Sequence, residues 1–559
     1  MLKNIAHTLK TEPWYLICEN IFRKLLQLEP VNKEKTVAHK TLIIFKKHFI
    51  RSTKILYQSI LFYQNKINIS LVFTCHKSQL TPEWLAQITK LKYSWIKIIF
   101  LSAQDDKLNF TNNIQHHSKT NYYIIFDRPA IFIDFGLYDI LVFLKNNIDT
   151  KLFYTDHWQL TTAKKKHFCK PSFNEDYYLA YNYVQLPLII HSETLKKLIQ
   201  HPEFDINEIS WIYNLLLLAL EFNIPVNRLE SLSTITIPYT KQELDTINES
   251  RKVAINVYLN RKNIEAKIEQ VTEDVLYINR TLKTNKKVAI IIPFKDKPEL
   301  LKSCVLSIIQ NTKYTNYELL LISNNSKEER TFALIEQMKA EFSDVKIYFF
   351  EHNIPFNYSA LNNWAAKQTD AEYILFLNND TEVLQSGWLT NMYKHIQREN
   401  VAAVGALLLY PDFTVQHGGV IIGIGDFAGH AHRNFDSKST GYMNRLISEQ
   451  EISAVTGACL LTLSNLFREL GGFNEISLAI SNNDVDYCLR VKELGYYSIY
   501  TPHAKLYHYE SKSRQSDLAE NNLTRYSKEL FYMKKRHEFT DPYYNKNLTK
   551  STENFKLPA

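Results

Sequence analysis

From residue 288 onward, apolar positions along the chain alternate between two kinds of run. Val288-Ala289-Ile290-Ile291-Ile292-Pro293-Phe294 is almost continuously apolar, the mark of a strand covered on both faces. Residues 298–310 then take helical spacing, with Pro298 near the first turn. Strand 318–323, helix 330–342, strand 346–350, helix 358–367 and strand 372–377 follow. Strands alternating with helices of this length predict right-handed βαβ units and a mainly parallel sheet, with ligands beyond the carboxyl ends of the strands. Those ends carry Pro293 to Asp296, Ser323 to Ser326 and Asn378 to Asp380.

The first 285 residues show the same order faintly, with strands at 68–74, 95–102 and 122–127 and a helix at 84–91. This predicts an internal repeat whose second copy holds the chemistry, the two joined through a charged helical stretch at 242–262. Glycine separates the regions further. Of 13 glycines, only Gly136 and Gly387 precede residue 400, and the other eleven lie between Gly405 and Gly495, which marks that stretch as shaped loops.

Composition narrows the class. The chain has 559 residues, 45% hydrophobic and 22% charged, which excludes a disordered, collagen-like or coiled-coil protein. No apolar run approaches the ~18–20 residues that span a bilayer, and no signal-like segment opens the chain. The expectation is a cytoplasmic protein, open to peripheral contact with the inner face of the membrane. Six cysteines form no CxxC pair and read as reduced thiols. The net charge of +8 suits anionic ligands or an anionic membrane surface, whereas clusters such as Lys534-Lys535-Arg536 read first as solvated faces. No nucleic-acid recognition motif occurs, so no nucleic-acid partner is expected.

GxxxxGK[ST], HExxH, GxSxG and a helix-opening GxGxxG are all missing. Asn378-Asn379-Asp380 ends an apolar strand with a carboxylate, where it either starts a turn or supplies hard oxygen to a cation. Asn483-Asp484-Val485-Asp486 opens a helix that stops at Gly495, and its carboxylates either favour the helix N-terminus or supply a base. His503 and His508 lie on a strand leaving the core, and His417, His430 and His432 fall in the glycine-rich region. Each reads as a structural group or a ligand.

Together, Val288 to Lys295, Asn324 to Ser326, Phe376 to Glu382 and Ala454 to Cys459 resemble the family-two inverting glycosyltransferases of GT-A fold. Asn483 to Asp486 and Tyr507 to Arg514 extend the match. Phe356 to Asn363, Gln416 to Val420, Gly429 to His432 and Asp541 to Asn545 are most similar to the large bacterial rhamnosyltransferase-type enzymes of surface-polysaccharide (O-antigen) assembly. The resemblance covers about 286–550.

It implies an α/β fold: a GT-A-like, Rossmann-type, mainly parallel sheet flanked by helices and present twice. The implied reaction is metal-dependent inverting transfer of a sugar, rhamnose among the candidates, from a nucleoside-diphosphate sugar to a glycan or lipid-linked oligosaccharide acceptor. Asp484 matches the catalytic base. Pro293, Asn324, Asn357 and Asn378 fall in the nucleotide-sugar site. Asp380 and His508 are the implied ligands of Mg²⁺ or Mn²⁺, and 418–429 is the implied closing loop. Ser323 departs from the family, which commonly has aspartate there.

In the N-terminal copy Asp127 to Ala130 replaces the metal motif and Ser210 to Tyr213 replaces the base motif, so that copy is expected to be inactive. The expected organisation is a helical lead (1–65), a degenerate domain (66–245), a linker (246–285), a catalytic domain (286–515) and a helical tail (516–559). The competing expectation is a non-catalytic scaffold that binds glycan or partner enzymes.

Overall fold

The computed structural model describes residues 67–74, 96–100, 112, 114, 119–133, 135–160, 165–205, 210–509 and 520–558. The expected lead at 1–65 and helix at 84–91 lie outside them. The chain divides into two compact units, residues 1–169 with 184–251, and residues 170–183 with 252–559. The segment expected as a linker holds the end of helix Lys241–Arg261 and an antiparallel hairpin, Ala266–Gln270 with Leu276–Arg280.

The second unit is built on a ten-stranded sheet. Its strands are β1 (Val288–Phe294), β2 (Tyr317–Ser323), β3 (Lys346–Glu351), β4 (Tyr373–Leu377), β5 (Thr381–Val383), β6 (Val401–Leu409), β7 (Val415–His417), β8 (Gln450–Ile452), β9 (Cys459–Leu463) and β10 (Tyr497–His508). The order is β3-β2-β1-β4-β9-β6-β10-β5, with β7 on β6 and β8 on β10. Helices α1 (Pro298–Asn311), α2 (Glu329–Glu341), α3 (Tyr358–Ala365), α4 (Trp388–Ile396) and α5 (Asn483–Glu493) cover it.

The run in β1 is apolar because each face has its own core. Val288, Ile290 and Ile292 pack with Leu301 and Val305 of α1, whereas Ala289 and Ile291 belong to the opposite cluster with Leu361 of α3 and Val485 of α5. Each of these valine, leucine and isoleucine side chains stabilises the fold by about 1.5–3 kcal/mol when fully buried.

The expectation of a mainly parallel sheet is corrected. The β3-β2-β1-β4 segment is parallel, but β9 runs antiparallel to both β4 and β6, β10 parallel to β6, and β5 antiparallel to β10. The early strands are joined by helical crossovers, which enforce parallel pairing. β9 enters between β4 and β6 from the non-helical loop at 453–458, and a connection without a helical crossover leaves antiparallel pairing open.

The sheet of the first unit has the order Ile96–Phe100, Ile69–Phe73, Tyr122–Phe126, Leu188–His191, Leu152–Leu160, Val226–Thr236, Ala130–Phe132, with Lys165–Phe168 beside Leu152–Leu160. Strand for strand, its senses are those of β2, β1, β4, β9, β6, β10 and β5 with β7 beside β6. Register agrees as well: Thr381 pairs with His508 in one sheet and Ala130 with Thr236 in the other. An 11-residue helix, Trp211–Glu221, precedes the long strand here as the 11-residue α5 precedes β10.

The expected helical tail is helix Glu520–Arg536 followed by non-helical chain. Pro542 suits that change, since it lacks the N–H a helix needs. The stretch is held instead by Asp541, which accepts from the Ile422 N–H and the Ser453 hydroxyl at 2.8 Å each.

Candidate active site

The carboxyl ends of β1, β2 and β4 open into a cleft of about 900 Å³. Six of the seven residues expected in the site line it: Pro293, Asn324, Asn378, Asp380, Asp484 and His508. Asn357 does not. Its side-chain oxygen accepts from the Ala360 N–H and its amide donates to the Glu475 carbonyl, both at 2.9 Å, so it caps α3.

Asp380 stands in the turn between β4 and β5, and pairing of Thr381 with His508 brings the imidazole alongside. Nε2 of His508 lies 3.2 Å from Oδ1 of Asp380 and 3.2 Å from the Asn378 amide nitrogen. The other ring nitrogen is 2.6 Å from the side-chain oxygen of Gln416, on β7. Because an amide oxygen only accepts, Nδ1 carries the proton and Nε2 turns towards Asp380. Burial alone raises the Asp380 pKa, but the hydrogen bond and charge of His508 outweigh it and hold the carboxyl below its usual range. Asp380 and His508 thus offer one hard oxygen and one imidazole nitrogen, with Asn378 beside them. Among the described residues no group of three or more His, Cys, Asp or Glu forms a fuller cage.

Asp484 is the second residue of α5. Its Oδ2 accepts from the Gly457 N–H at 2.6 Å and its Oδ1 from the Val485 N–H at 2.8 Å. Tyr358 on α3 donates to the Gly457 carbonyl at 2.9 Å, so one glycine links helix, loop and carboxylate. Burial first, and then the charge of Asp484, raise the Tyr358 pKa far above its ordinary value, so the phenol stays protonated. Asp486 faces the other way. It is fully buried and pairs with Arg490 and His537 at 2.8 Å each, so its role is structural.

Asn324 borders the cleft, but its amide donates to the carbonyls of His352 and Ile354 at 2.9 Å each. The segment expected to close over the site is an antiparallel hairpin, Val420–Ile422 paired with Ala428–His430, tied down through Ile422 to Asp541. His430 from this hairpin lines the cleft, whereas His417 is buried and held by the Ala406 carbonyl at 3.0 Å. His503 stacks on Tyr277 at 3.7 Å outside the cleft. Gln416, Tyr358 and Gly457 are site residues that sequence reasoning did not assign. The signal for Gln416 and Gly457 was their place in the family-like segments 416–420 and 454–459.

Residues 289–471 match the family model described as Glycosyl transferase family 2. The chain is 31% identical over 482 residues to the uncharacterised protein y4gI of Sinorhizobium fredii, which covers 83% of this chain and 52% of that protein. It is 31% identical over 473 residues to the O-antigen biosynthesis protein RfbC of Myxococcus xanthus, 82% of this chain and 36% of that protein. Over 90 residues it is 29% identical to the N-acetylglucosaminyl-diphospho-decaprenol L-rhamnosyltransferase of Mycobacterium tuberculosis, 16% of this chain and 29% of that one. The chain therefore spans about half or less of the curated relatives it matches.

Proposed function

We propose, on the premise that residues 289–471 are a family-2 glycosyltransferase domain, that this chain moves a sugar from a nucleoside-diphosphate sugar to a glycan or lipid-linked glycan acceptor with inversion. The observation that carries the reading is the meeting of Asp380, His508 and Asp484 in one cleft at the carboxyl ends of parallel strands. Inverting displacement needs a base on the acceptor side of the anomeric carbon and charge stabilisation on the leaving side. Asp484 is the base. After accepting the Gly457 and Val485 N–H groups, each of its oxygens keeps a lone pair, and one takes the acceptor hydroxyl proton as that oxygen attacks. Asp380 and His508, with Asn378 beside them, would hold Mg²⁺ or Mn²⁺. When bound, such an ion offsets the negative charge of the departing nucleoside diphosphate. Pro293 and Asn324 border the nucleotide end, where Asn324 acts by fixing the loop at 352–354.

The names of the relatives support surface-polysaccharide assembly, with rhamnose a candidate sugar. The place of action in this reading is the cytoplasm, at the inner face of the membrane. The domain is a GT-A-type fold in this reading, and the first unit is a second copy of it without chemistry. Sheet register supports this: Pro129 and Thr236 occupy the positions of Asp380 and His508. Ile212, second residue of its helix, occupies the place of Asp484.

A screen of UDP-, GDP- and dTDP-sugars for nucleoside-diphosphate release, with and without Mn²⁺, tests the proposal. Mn²⁺-dependent release from one donor is the expected result. No release from any donor, with glycan binding retained, would favour the scaffold reading.

A further inference from the structure

Helix Glu520–Arg536 has two unlike faces. On the inward side Met533 is buried in the core, and Glu529, only 2% exposed, accepts from the Ile480 N–H at 3.0 Å and the Ser481 N–H at 3.3 Å. Arg525 pairs with Glu529 at 2.6 Å and Arg536 with Glu493 at 2.7 Å. The helix thereby holds the 480–482 segment, which borders the cleft just ahead of Asp484.

The outward side is different. Leu523, Lys528, Phe531, Lys534 and Lys535 recur at helical spacing and all are exposed. Phe531 is 70% exposed and Leu523 42%, and Phe539, just past the helix, is 39% exposed. Lys534 sits 6.0 Å above the Phe539 ring. None of the three lysines has a carboxylate within ion-pair distance among the described residues, in contrast to Arg525 and Arg536.

We propose that this outward face docks on an anionic phospholipid surface. Phe531 and Leu523 enter the boundary between headgroups and acyl chains while the lysine stems lie along it and their ammonium groups stay at phosphate level. A soluble polyanion would use the lysines and leave the phenyl ring in water. The aromatic side chain among unpaired cations is what favours a lipid surface. Docking there sets the 480–484 edge of the cleft near the membrane, where a lipid-linked acceptor is presented. The docking rests on this helix alone, not on the donor reading.

Co-sedimentation of the full-length protein with phosphatidylcholine vesicles, with and without phosphatidylglycerol, tests it in the absence of donor and acceptor. Binding is expected only to the phosphatidylglycerol vesicles, weakening as salt rises. Phe531→Ala should bind about tenfold more weakly with an unchanged melting temperature. Combined Lys528→Glu, Lys534→Glu and Lys535→Glu should abolish binding, each lysine contributing about fivefold. Failure to bind phosphatidylglycerol vesicles, or binding that both variants retain, overturns the proposal. So does loss in the lysine variant with full binding by Phe531→Ala, which would mark a site for soluble polyanions. Any of these outcomes leaves the transferase reading standing, because no turnover is measured.

Discussion

The imidazole of His508 faces the carboxylate of Asp380 across 3.2 Å, and Gln416 fixes which ring nitrogen does so. Gln416→Leu removes the acceptor for Nδ1–H and frees the ring to turn. Mn²⁺-dependent binding of UDP, GDP or dTDP, read by calorimetry, should weaken about 10–100-fold. Asp380→Asn should weaken it at least as much, because it removes the only charged ligand of the pair. Unchanged affinity in both variants would put the cation site elsewhere.

Asp484→Asn is expected to lower turnover by about 10²–10⁴-fold while donor binding persists. It also has a structural signature. Asn offers one side-chain acceptor where Asp484 uses two, so either the Gly457 or the Val485 N–H loses its partner. The expected cost is about 1 kcal/mol, seen as a small drop in melting temperature. Asp486 is no substitute base. Asp486→Asn weakens the pairs with Arg490 and His537, so its measured effect should be lower stability before any change in mechanism.

Stability should also depend on pH through Glu451. Burial first, then the charge of Asp176, push its carboxyl from an ordinary 4.5 up to about 8. Between those values the unfolded chain releases a proton that the folded chain keeps. The contribution is fully present below 4.5 and lost as pH rises through about 8. Glu451→Gln should flatten the fall in melting temperature across that window, and an unaltered slope would contradict the assignment. Asp176, paired with Arg280 and Arg398, acts oppositely and in a more acidic window.

Asp127→Ala should leave sugar transfer unchanged. Asp127 is bonded to the Tyr239 hydroxyl at 2.5 Å, and no carboxylate or histidine stands at the positions of Asp380 and His508. Loss of turnover at an unchanged melting temperature would make the first unit a working site.

Much of this was legible in the residues themselves. The strand Val288–Phe294 was readable because both its faces are covered, which leaves no polar position to blur its limits. Asp380 and Asp484 stood out as candidates at a strand end and a helix start, but a turn or a cap fits those places equally, and only the resemblance of segments 376–382 and 483–486 gave them roles. The partners of those residues were not legible. Gln416 reaches His508 only because β7 and β10 both pair with β6, a long-range choice that local pattern does not encode. Asn357 shows the converse: an asparagine before a helix is equally a ligand or a cap, and the Ala360 N–H decides for the cap. The glycines at 418–429 suggested a loose lid, but Asp541, more than a hundred residues on, pins the hairpin they form.

The most direct test of the central claim is single-turnover transfer with whichever donor releases its nucleoside diphosphate, comparing the wild-type chain with Asp484→Asn at saturating donor and Mn²⁺. Product of inverted anomeric configuration is expected from the wild type, with a rate lower by about 10²-fold or more in the variant. Retained configuration, or a variant that reacts at the wild-type rate, would contradict it.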